Sequence, residues 1–123
     1  MLLTGGSTAD MERPLRAGDL RESIIIEQPD EVTNDYGETT ASWSIKARRR
    51  AAVRGLRVDE LMMTQGMYTV ATHEVEFRYV AGLTNAMRLI WTSRSPIRTL
   101  DILSITEVNN REYHRLVVKE QVG

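Results

Sequence analysis

Between residues 73 and 80 the side chains alternate without a break: Val75, Phe77 and Tyr79 are interleaved with Glu74, Glu76 and Arg78. A helix cannot bury a period of two, so this segment must be a strand with one apolar face. Such a strand is stable only inside a sheet, and the chain supplies partners for it. Ile24, Ile25 and Ile26 form a β-branched run that predicts a first strand over 23–28. Pro29, Asn34, Asp35 and Gly37 predict a loop over 29–37. A long second strand is expected over 42–54, then the alternating strand, then a turn at Ala81 and Gly82. A short strand is expected at 87–92 and a long one at 97–108, the latter beginning after Pro96. Asn109 and Asn110 tolerate positive φ and predict a tight hairpin into a last strand over 112–120, with Leu116 and Val118 on one face.

One segment reads differently. Over 58–67, Asp59 and Glu60 suit a helix start and Leu61, Met62 and Met63 are good helix formers. The expectation is therefore an all-β fold: a small six-stranded barrel or sandwich with one short helix or long loop between its second and third strands. Residues 1–17 read as a flexible leader, since Gly5, Gly6, Ser7 and Thr8 are polar and Pro14 breaks any regular element near its end; a short helix over 8–15 is the alternative. Residues 18–123 form the single expected domain.

Composition narrows the function. The chain has 123 residues, a length that buries one core without a staple. With no cysteine, a disulfide scaffold, a thiolate zinc site and a thiol nucleophile are excluded. No apolar run approaches the roughly 20 residues of a membrane helix. The N-terminus lacks signal-peptide character, so the protein is expected in a cytoplasm or carried out of it inside a particle. A formal net charge of −1 gives the whole molecule no strong attraction to nucleic acid, leaving electrostatics to local patches.

No catalytic, cofactor or metal set emerges. His73 and His114 have no clustered ligand spacing, there is no Gly-x-Ser-x-Gly elbow, and Gly5-Gly6-Ser7-Thr8 lacks the lysine of a phosphate loop. Adjacent Asp59 and Glu60 would diverge by about 100° on a helix and make a poor acid–base pair. The reading is of a protein that is not an enzyme. The conspicuous constellation is a basic stripe. Lys46, Arg48, Arg50 and Arg54 occupy alternating positions on the second strand and are expected on one face, with Trp43, Ile45, Ala47, Ala51 and Val53 on the other and Arg49 interrupting the apolar side. The stripe has three readings: a solvated face paired across strands with Glu74 and Glu76, a protein interface, or a DNA-facing collar. Aromatics are not interleaved with the cations, which argues against sequence-specific DNA reading. Met62, Met63 and Met67 suit either a rearranging contact or the apolar face of a short packed helix.

The order of features resembles the head–tail joining proteins of long-tailed phages, also called stopper or head-closure proteins. Four pieces carry the resemblance: Ala17-Gly18-Asp19-Leu20-Arg21 before the isoleucine strand; Asp35-Tyr36-Gly37 followed by Trp43; Glu60-Leu61 with Gln65; and Thr72-His73-Glu74-Val75-Glu76-Phe77-Arg78-Tyr79 followed by Gly82-Leu83 and Met87-Arg88. It spans residue 17 to the C-terminus. It implies a structural virion protein of the neck, present in the host cytoplasm during assembly. Six or twelve copies would form a homo-oligomeric ring below portal and adaptor, docking a tail terminator or tail tube protein. Packaged double-stranded DNA would pass through the channel without sequence specificity, and no membrane is involved. The loop after the second strand, 55–72, faces the channel in such rings, which puts Leu56, Arg57, Asp59, Glu60, Met62, Met63, Gln65 and Met67 there. The competing expectation is a small OB- or SH3-like barrel that binds a peptide or nucleic acid.

Overall fold

A computed structural model describes residues 17–33, 35–64 and 67–121 of the chain. After a 3-10 turn at Ala17–Asp19 come six strands: β1 (Glu22–Thr33), β2 (Thr39–Thr64), β3 (Met67–Arg78), β4 (Arg88–Trp91), β5 (Arg98–Val108) and β6 (Tyr113–Glu120). All neighbours are antiparallel, and they close into a barrel in the order β1-β2-β3-β6-β5-β4. The expected six-stranded all-β barrel is therefore what forms.

The alternation sets the inside. Val75 and Phe77 of β3 are fully buried, facing Ile24, Ile26, Leu89, Leu100, Leu116 and Val118 from the other strands. A six-stranded barrel is narrow enough for side chains alone to fill it. Each of these residues contributes roughly 1.5–3 kcal/mol by leaving water. Two extra residues turn the wall. Lys46 is unmatched where β1 passes from Ile26 opposite Ala47 to Glu27 opposite Ile45. Leu103 is unmatched where β5 passes from Ile102 opposite Val118 to Ser104 opposite Val117. Each bulge swaps the inward parity of its strand, which explains the apolar run Leu100, Ile102, Ile105. The Asn109–Asn110 turn forms as expected, with φ of 54° and 56°.

Several expectations are corrected. Where a helix or loop is expected over 58–67, the described residues are strand: β2 runs on to Thr64 and pairs back with β3, Glu60 opposite Ala71 and Thr64 opposite Met67. Its partner segment, Tyr68 to Thr72, is rich in β-formers, and a helix of about ten residues is marginal alone, so pairing overrides a weak propensity. The loop expected at 29–37 is mostly strand as well. Pro29 sits in β1 opposite Trp43, beyond Glu27, the last residue paired to β4. There β1 is an edge, where a missing N–H costs nothing. Of the leader expected over 1–17, residues 1–16 lie outside the described residues and Ala17 opens the 3-10 turn.

Closure leaves no long free edge in the barrel wall, but two ribbons leave the barrel. One is an arm made of Gln28 to Thr33 paired with residues 39–44 of β2, about 20 Å long at roughly 3.3 Å per residue. The other is β2 beyond Gly55 with the start of β3, where four residues, 56–59, stand against Thr72 alone. The seam between β1 and β4 has only four residue pairs. Glu22 reinforces it: its Oε1 accepts from Trp91 Nε1 at 2.9 Å, Ser93 Oγ at 2.8 Å and Arg94 Nε at 3.1 Å.

Candidate functional site

The Lys46 bulge decides which part of the basic stripe survives. Arg48 and Arg50 stand opposite Ile25 and Ser23, on the outer register of the barrel wall. Past the bulge, Trp43 and Ile45 share that outer register instead of the core, and are 40% and 46% exposed. Trp43 carries the Arg88 guanidinium 4.0 Å from its ring centre, and Arg88 also binds Glu27 at 2.8 Å. Lys46 itself reaches toward the turn at Gly82. Arg54 faces outward but is matched by Glu74, directly opposite in register, at 3.1 Å. On the neighbouring pair Arg115 meets Glu76 at 3.2 Å. Arg48, Arg50 and Arg54 thus share the outer face, Arg54 already neutralised, while Lys46 sits apart on the bulge.

A different set converges. Arg48, Arg49, Arg50 and Arg78 line one concavity of about 460 Å³ with Leu20 as its apolar residue. The Arg50 guanidinium is fixed, donating to Ser23 Oγ at 2.9 Å and to the Arg21 carbonyl at 3.1 Å. Arg49 donates to the Arg48 carbonyl at 2.9 Å. Spacing alone makes Arg49 an interruption and gives Arg78 no role. Only the register Ala51 opposite Phe77 brings Arg78 beside Arg50, and that register cannot be read from spacing.

The residues expected on a channel loop lie on the second ribbon. Leu56 is half-buried at its base, in a second concavity of about 890 Å³ shared with His73, Ile97 and Arg98. Arg57, Asp59, Glu60, Met62 and Met63 are in β2 and Met67 begins β3; their side chains, and the whole of Gln65, lie outside what is described.

Two titrating groups tie stability to pH. His114 is buried, stacked on Tyr79 with ring centres 4.6 Å apart, and its Nδ1 accepts from the Val80 N–H at 3.2 Å. Burial pushes the imidazole below its usual 6.5, against a weaker upward pull from Glu107. The unfolded chain then takes up this proton first as pH falls. The contribution is complete above 6.5 and is lost as pH falls through the lowered folded value. Hydrogen bonds from Arg94 first, then Trp91 and Ser93, hold the Glu22 carboxyl at about 2 against a usual 4.5. That contribution is present above 4.5 and is lost as pH falls toward 2. Thermal melts followed by circular dichroism should show a first decline below pH 6.5 and a second below 4.5. The variant His114→Gln should flatten the first and keep the second; an unchanged first decline would remove His114 as its source.

Among the described residues no group of three or more His, Asp or Glu could hold a metal ion. Comparison with known proteins assigns the chain. A profile of phage head completion proteins matches residues 15–121. The solution structure of protein SF1141 from Shigella flexneri 2a has the same fold, with a TM-score of 0.64 and 19% identity over 88% of this chain and 98% of that one. A chain from the virion of a native gene transfer agent particle matches at a TM-score of 0.55 and 16% identity, over 84% of this chain and 98% of that one. At such identities these two likenesses concern the barrel alone. No curated protein matches the sequence. Because the profile spans every strand of the barrel, the chain belongs to the phage head completion protein family, and is a structural component of the virion neck that works with other head and tail proteins rather than an enzyme.

Proposed function

We propose that identical copies of this barrel, six or twelve, close into a ring between the portal and adaptor on one side and the tail terminator or tail tube on the other. The ring retains the packaged double-stranded DNA and gives the tail its docking surface. The observation that carries this reading is the pair of ribbons. A closed barrel has no edges to share, yet two two-stranded ribbons leave it, and exposed strand edges invite pairing with a neighbour. A ring uses such head-to-tail contacts around a closing rotation, and each can be modest because closure and a portal template raise the effective concentration. The fold neighbour from a gene transfer agent virion is itself a particle component, which supports the setting.

In this ring the ribbon of β2 and β3 enters the channel, with Leu56, Arg57, Asp59, Glu60, Met62, Met63, Gln65 and Met67 along it. Lys46, Arg48, Arg50 and Arg54 lie on the barrel wall, facing a neighbour or DNA. DNA contact is through phosphates and carries no sequence preference. Deleting the gene from its phage should leave DNA-filled heads that leak or remain without tails, seen by electron microscopy and by nuclease sensitivity of the packaged genome. Normal virions after deletion would remove the proposal.

A further inference from the structure

We propose that the acidic β1–β2 arm of one copy lies in the arginine concavity of the next, and that this contact is the joint of the ring. The inference rests on the ring reading and names its partner surfaces.

Ten of the described arginines fall into two classes; Arg21, which donates to the Gly18 carbonyl at 3.1 Å, stands outside both. Arg54, Arg88, Arg94, Arg98, Arg111 and Arg115 each lie within 3.6 Å of a glutamate carboxylate. Arg48, Arg49, Arg50 and Arg78 have no carboxylate partner among the described residues, yet they line a single concavity. Crowded like charges repel, and an anionic partner relieves that repulsion. Since the other six are matched one to one, the unmatched set marks where a partner supplies the anions.

The chain carries the complementary surface. Between residues 28 and 45 there are four carboxylates, Asp30, Glu31, Asp35 and Glu38, and no lysine or arginine. The arm, its tip and its base together expose Trp43, Tyr36 and Ile45, apolar surface for an interface. The arm cannot serve its own concavity. Arg48 stands opposite Ile25, six residues along β1 from Glu31, a separation of about 20 Å on a continuous strand. The contact must therefore join two copies. It is also heterologous, acidic on one side and basic on the other, the kind that propagates around a ring. DNA is the weaker occupant, because the molecule's net charge of −1 gives it no overall attraction to phosphate.

Cysteine pairing tests the contact, because the chain has no cysteine of its own. The double variant Glu31→Cys with Arg48→Cys is introduced into the phage and assembled necks are oxidised. A disulfide needs Cα atoms within about 7 Å, so none can form inside one chain. The expected result is a ladder of disulfide-linked oligomers on non-reducing gels, matched by the ladder that an amine cross-linker gives with the unaltered protein. An amine ladder without a disulfide ladder would overturn this joint and leave the ring standing. Absence of both would overturn the ring as well.

A charge swap gives the second readout. Arg48→Glu with Arg78→Glu, or Glu31→Lys with Asp35→Lys, should each lower virion titre by roughly tenfold or more, since like charges then meet across the joint. All four changes together should recover most of it. If the arginines instead hold DNA, the arm reversal will not rescue the arginine reversal. All altered positions are exposed, and an unchanged melting temperature of the purified variants confirms that the barrel is intact.

Discussion

A chain whose β2–β3 ribbon is cut off at Gly55 and His73 should fold normally and fail in the particle. Gly55 and His73 are directly opposite in register, so an Asn-Gly turn can join them in place of residues 56–72. Among the residues whose burial is described, all the buried ones except Ala71 lie on the retained side of the cut. The truncation also removes the Thr72 hydroxyl, which accepts from the Glu120 N–H at 2.8 Å, a loss of about 1 kcal/mol. Cooperative melting should therefore persist, lowered by several degrees. If the ribbon closes the channel of the proposed ring, the effect in the neck should be near complete: filled heads should lose their DNA to nuclease even when the ring assembles. Full-titre virions from the truncated gene would show that the ribbon has no part in closure.

How much of this is legible in the sequence depends on whether a feature is local. The alternation of β3 announces its inward face, and Asn109–Asn110 announces the β5–β6 turn, because in each case the residue types themselves carry the geometry. The course of β2 past Gly55 is not legible. Leu61, Met62 and Met63 favour a helix in isolation, and only the returning β3 segment makes them a strand. The basic stripe is legible only as a set of cations. One unmatched residue, Lys46, turns Trp43 and Ile45 outward, and Glu74 neutralises Arg54. Arg78 joins Arg50 and Arg48 from 28 and 30 residues away in sequence. Glu22 carries no local signal at all, because its three partners, Trp91, Ser93 and Arg94, are about 70 residues away. Bulges and long-range registers are settled by packing, and spacing along the chain does not encode them.

The largest loss of stability should come from Phe77→Ala. Phe77 heads the fully buried side chains by volume. It is held between strands on both sides, opposite Ala51 and His114 in register, with the His114 ring edge-on at 6.1 Å. The site cannot collapse into the space left behind. Ala51 has no bulk to offer, and the surrounding wall is tied all the way round by strand pairing, so the void persists. A persistent cavity keeps the full penalty, about 3–5 kcal/mol for a buried phenylalanine. Domains of this size have only about 5–15 kcal/mol in total. The melting temperature should accordingly drop by more than 10 °C, at roughly 4 °C or more for each kcal/mol. An exposed change in the arm, Glu31→Ala, should stay within about 0.5 kcal/mol. If the two variants melted alike, the barrel interior would not be the source of the fold's stability, because the difference between them is the difference between a filled core and a solvated surface.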